Sequence, residues 1–196
     1  MHRIAKTAAA AVAVAALAAT GAGPASAKAH KHRARSAAED IQTQHLRLDP
    51  SSPQLASCMP GARIDVYVDL ATDAVGFDQI RIKGHHLAPN RDYTVFLLEQ
   101  AEAPFGAAEY IGDISSDSKG RARNTLRLIT QEAFSSTLVD GQRVRVDLNR
   151  MGVWFADPAD DDFCLGKNSP VTPFDGDNQA GVQAFNSRNA APLPAP

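Results

Sequence analysis

Six aspartates crowd two short stretches near the C-terminus: Asp157, Asp160, Asp161 and Asp162 in the first, Asp175 and Asp177 (followed by Asn178) in the second. Carboxylates set this close repel one another. Calcium, a hard cation that takes roughly six to eight oxygen ligands, would relieve that repulsion. The six are therefore a candidate calcium site. The spacing departs from an EF-hand, because Gly176 comes too early in Asp175-Gly176-Asp177-Asn178 and no Glu follows. The plainer alternative is a pair of solvated loops with Asp157-Pro158 and Asp175-Gly176 as turns.

Other residues offer weaker chemistry. His85-His86 could share one solvent space, but spacing supplies no third ligand. Lys28-Ala29-His30 would form a square-planar nitrogen site for copper or nickel if the mature chain began at Lys28. Trp154, the sole tryptophan, could stack on a sugar, yet its apolar neighbours Val153 and Phe155 favour a core position. There is no Gly-x-Ser-x-Gly elbow and no glycine-rich phosphate loop, and no spacing singles out a pair of glycosidase carboxylates. Catalysis has no signature of its own here.

The leader sets the compartment. Arg3 and Lys6 precede an uncharged run over 7–19, and Ala25-Ser26-Ala27 offers the small-x-small cleavage pattern of a signal peptide spanning 1–27. That run is shorter than the roughly 20 residues a bilayer span needs. Residues 28–49 read as a flexible basic linker, 50–188 as one β-sandwich domain, and 189–196 as a disordered Pro/Ala tail. From residue 48 onward there are 13 basic and 20 acidic residues. That balance argues against nucleic acid as partner, since phosphates demand a basic surface. Export also makes the two cysteines, Cys58 and Cys164, a predicted disulfide.

Alternation with period two predicts strands over 63–70, 77–83, 121–130 and 143–149, the last with Val144, Val146 and Leu148 inward. Residues 93–98 are nearly all apolar, which suits a central strand covered on both faces; 109–114 and 153–155 are shorter candidates. Pro89-Asn90, Asp117 to Gly120 and Asp140-Gly141 punctuate them as turns. Residues 130–138, with Thr130 as cap, predict the one short helix. The fold class expected is all-β, an antiparallel sandwich.

The run Ile82-Lys83-Gly84-His85-His86-Leu87-Ala88-Pro89-Asn90-Arg91-Asp92-Tyr93-Thr94-Val95 resembles the strand-turn-strand of bacterial immunoglobulin-like surface domains. Gly112 to Gly120, with Asp117-x-x-Gly120, is similar to their second hairpin. With its Ala-rich leader the chain also resembles secreted actinobacterial proteins of unknown function. The resemblance implies fold and an extracellular or cell-surface location, not an activity. The function expected is a secreted, non-enzymatic binding or surface-associated module with an extracellular ligand, such as cell wall or glycan. The alternative is a calcium-dependent carbohydrate-active or hydrolytic protein.

Overall fold

A computed structural model describes residues 42–130, 134–172 and 179–193. Ten strands dominate: β1 (Gln42–Pro50), β2 (Arg63–Leu70), β3 (Asp78–His85), β4 (Asp92–Leu98), β5 (Ala108–Ser115), β6 (Ala122–Leu128), β7 (Phe134–Val139), β8 (Gln142–Asp147), β9 (Arg150–Phe155) and β10 (Gln183–Asn186). Every pairing is antiparallel. Among the described residues the helices are α1 (Pro53–Cys58), the single turns α2 (Thr72–Val75) and α3 (Asp162–Leu165), and a 3-10 turn at Pro158–Asp161. Among the described residues no helix is long and apolar enough to cross a membrane.

The eight-stranded sheet runs β5-β4-β9-β10-β1-β2-β3-β6 and folds into two layers. One layer is β1-β2-β3-β6 and the other β5-β4-β9-β10. They join where the end of β1 pairs with β10 at Asp49↔Asn186 and Pro50↔Phe185. Strict alternation fills the space between. Ile64, Val66, Val68, Ile80 and Ile82 face Tyr93, Val95, Leu97, Met151, Val153, Phe155 and Phe185, all essentially inaccessible to solvent. Each such side chain contributes about 1.5–3 kcal/mol of burial free energy. Residues 93–98 behave as a central strand should: β4 lies between β5 and β9 and is buried from Tyr93 to Leu98.

The two resemblance-bearing turns dock on each other. Leu87 N–H donates to Gly120 O at 2.9 Å and Asn90 N–H to Asp117 O at 3.3 Å. Ser116 Oγ donates to Ala88 O at 2.6 Å and accepts from Arg91 N at 2.9 Å. Gly120 has φ +67°, and a Cβ there would stand 2.2 Å from Leu87 O. Only glycine meets both conditions.

Several expectations need correction. The linker reading of 28–49 fails over 42–49, because β1 pairs with β2 from Gln42↔Leu70 to Leu48↔Ile64 and buries Leu46 and Leu48. Two apolar positions made too short an alternation to stand out from the basic surroundings. The helix over 130–138 is instead strand β7 from Phe134 onward. It joins β8 through Asp140 and Gly141, both at positive φ (51° and 80°), as a two-residue hairpin turn requires. The hairpin signal outweighed the capping signal. Val144 and Val146 do not reach the core, since β7-β8 forms its own two-stranded ribbon; Val144 is exposed, Val146 half-buried, and Leu148 alone is buried. Finally, the tail from 189 to 193 is anchored. Leu193 is buried and its N–H donates to Asn149 O at 2.8 Å, while Gln44 Nε2 donates to Pro192 O at 2.9 Å.

Candidate functional site

The predicted disulfide is present. Cys58 at the end of α1 bonds Cys164 in α3 across 106 residues of sequence, with Cα atoms 5.7 Å apart. Ser52 starts α1 by accepting from Leu55 N–H at 3.2 Å, and Pro53 takes the first helical position. The bridge therefore staples two short helices against one end of the sandwich.

Three of the four described aspartates of the calcium candidate serve separate partners. Asp157 caps the 3-10 turn, Oδ1 accepting from Ala159 N–H at 2.7 Å. Asp160 pairs with Arg91 Nη1 at 2.9 Å. Burial pushes its carboxyl above the ordinary range against the pull of Arg91, and the charge of Asp157 adds to the rise. Asp161 is wholly buried, accepting from Ser169 Oγ and, at 2.9 Å, from Val182 N–H. Asp162 opens α3. Asp175, Asp177 and Asn178 lie outside the described residues, as do Lys28, Ala29 and His30. Among the described residues no group of three or more His, Cys, Asp or Glu gathers as a metal site would need. Melting temperatures recorded with calcium and with EDTA test the candidate, because a bound ion stabilises only the folded state. A calcium-dependent rise measured by calorimetry would support it, and no shift would remove it.

His85 and His86 do not act together. His85 closes β3 and lies 3.5 Å from Asp65 Oδ2, whereas His86 takes a left-handed φ of 55° in the turn. Trp154 is a core residue, 5% exposed, in a small cluster with Phe96, Leu98 and Ala180 on the outer face of β4 and β9. Phe96 and Phe105 meet its ring edge-on at centroid distances of 5.3 and 5.1 Å. Gly152 makes room for it, since a Cβ there would stand 2.5 Å from Trp154 Cζ3.

Two concavities among the described residues lie on the two sides of the β4–β5 loop, residues 99–107. One is an apolar niche of about 130 Å³ lined by Phe96, Leu98, Phe105, Gly106, Ala108, Trp154 and Thr172. The other is an open polar groove of about 400 Å³ lined by residues 99–103 with Arg150 and Arg188. The loop is held in place from several directions. Glu99 accepts from Ala107 N–H at 3.0 Å, and Gln183 Nε2 donates to Ala101 O at 3.0 Å. Arg188 Nη1 pairs with Glu102 at 2.8 Å and Arg150 Nη1 donates to Ala190 O at 2.9 Å. Each guanidinium carries five N–H donors, so both retain donors for a ligand.

Sequence reasoning missed this site. Glu99, Glu102, Arg150 and Arg188 are spread over some ninety positions, share no motif, and meet only because β4, β9 and β10 are neighbours. Neither a protein-family model nor a curated protein matches the chain.

Proposed function

We propose that the protein acts outside the cell as a non-enzymatic binding module that takes its ligand at the loop 99–107. One observation carries this reading: a polar groove with two arginines and an apolar niche adjoin the same pinned loop. Ligand sites are typically concave, largely pre-formed, and built from apolar lining with a few convergent polar groups. Catalysis is the poorer reading, since both groove carboxylates already hold partners, Glu99 an amide and Glu102 an arginine. The ligand class is an extracellular molecule, of cell-wall or glycan origin, with a small apolar group for the niche and an acidic group for Arg150 and Arg188. The leader over 1–27, the disulfide and the likeness to bacterial immunoglobulin-like surface domains support an exported role.

The test uses the mature protein against cell-wall and glycan fractions, followed by titration read from the fluorescence of Trp154. Ala108 is exposed at the niche mouth. A108F and R188Q are each expected to weaken binding at least about tenfold, equivalent to roughly 1.4 kcal/mol, with melting temperatures near wild type. Binding unaltered in both variants would remove the loop as the site.

A further inference from the structure

The solvent face of the β1-β2-β3-β6 layer has an order that neither the core nor the loop site explains. Its outward residues fall in rows across the strands. One row is Arg47, Asp65, Lys83 and Arg123; the next is His45, Tyr67, Arg81 and Thr125; a third is Thr43, Asp69, Gln79 and Arg127. Arg63 and His85 sit opposite each other at the end of β2 and β3. With Asp49, that makes six Arg or Lys against three Asp, on a chain whose formal net charge is −2.

The three acids are spoken for. Asp65 receives Arg63 Nε and His45 Nε2, each at 3.2 Å, and lies 3.5 Å from His85 Nε2. Asp69 receives Arg81 at 3.0 and 3.1 Å and Thr43 Oγ1 at 2.8 Å. Asp49 receives Arg47 Nε at 2.8 Å and Asn189 Nδ2 at 3.2 Å. Lys83, Arg123 and Arg127, by contrast, have no carboxylate at ion-pair distance among the described residues. Lys83 Nζ lies 4.8 Å above the Tyr67 ring and the Arg127 guanidinium 5.1 Å from the Phe77 ring, contacts that orient a cation without neutralising it. Moreover, Lys83 and Arg123 stand directly opposite each other on adjacent strands, where like charges are destabilising. The sheet bears that cost with its free cations on one side, toward β6.

We infer that this face is a second binding surface, and that its partner is an extended anionic polysaccharide lying along β6. Arg123 and Arg127 are four residues apart on one strand, a track of roughly 13 Å, and Lys83 widens it by one strand spacing of about 4.8 Å. A chain of acidic sugars presents carboxylates at intervals comparable to one sugar length and would meet all three cations. Single-stranded nucleic acid fits worse. It binds by stacking bases on open aromatic faces, yet His45 stacks on Tyr67 at 4.6 Å while Lys83 and Arg81 approach the same ring from the β3 side. The Tyr67 ring, the large aromatic of these rows, is thus already occupied by neighbours of this chain.

The experiment immobilises a linear polyuronate and passes the mature protein over it, with neutral dextran and single-stranded DNA of similar length as parallel arms. The wild type is expected to be retained on polyuronate, to be released as salt rises, and to pass freely over dextran. K83Q/R123Q/R127Q is expected to lose at least about tenfold in affinity while melting like the wild type, because these side chains support no core contact. A108F and R188Q are expected to bind polyuronate normally, which separates this surface from the loop site. The inference fails if the wild type is not retained, if the triple variant binds as tightly, or if DNA binds as well as polyuronate.

Discussion

Removing the Cys58–Cys164 bridge, by double substitution with serine or by reduction, is expected to destabilise the fold by about 4–5 kcal/mol. The bond closes a loop spanning 106 positions. Cross-linking so long a segment removes a large share of the unfolded chain's freedom, and the folded state keeps the benefit. The helices it joins have little else to hold them: α1 buries Leu55, and α3 buries no residue fully. For a domain of this size the loss corresponds to a drop of roughly 10–20 °C in melting temperature. Denaturant melts of the oxidised and reduced protein check it directly. A difference below about 1 kcal/mol would mean that the staple is dispensable.

The second large effect centres on Asp78, a buried carboxylate at the start of β3 that no motif or spacing singles out. Its Oδ1 accepts from Ala71 N–H, Thr72 N–H and Thr72 Oγ1 at 2.8–2.9 Å, and its Oδ2 accepts from Thr130 N–H at 2.8 Å. One side chain thereby ties the α2 turn and the exit of β6 to the head of β3. Asp78→Ala strands four donors in a dry site and is expected to cost about 3–5 kcal/mol by chemical denaturation. Burial alone would raise this carboxyl. The hydrogen bonds from the Thr72 hydroxyl and the Ala71, Thr130 and Thr72 amides outweigh it and hold the carboxyl below its ordinary value of 3.8.

The sign of the pH effect follows. A depressed folded value means the ionised form stabilises the fold above about pH 4, and this stability is lost as pH falls through the folded value. Asp78→Asn should therefore flatten the acid limb of the stability curve while lowering the plateau at neutral pH. An unchanged acid limb would show that Asp78 does not govern it. Asp117, held at about 2 by Arg121, pairs with it in a solvent-facing turn where charges are screened, and contributes little to that limb.

Strand positions were legible in proportion to the length of their alternation. β2 and β3 present four alternating buried positions each and stand out from any reading frame. β10 is four residues long, with two apolar residues side by side and no alternation; it is a strand because β1 and β9 offer it open edges. The same reason explains the 130–138 error. A nine-residue window contains both a cap-like threonine and half of a hairpin, and only the partner strand settles which one forms.

By itself the sequence determined the disulfide partners, the β character, the central position of 93–98 and the burial of Trp154. The last three depend on residue type and on neighbours a few positions away; the disulfide follows from there being two cysteines in a chain read as exported. Only the tertiary structure decided that Asp157, Asp160 and Asp161 are parted among a cap, an arginine and a buried amide, and that Arg150 and Arg188 meet across the loop 99–107. It alone aligned Lys83 with Arg123 and left that face cationic. Those arrangements arise from strand order and register, which are set by cooperative burial of the whole sheet and are written at no single position.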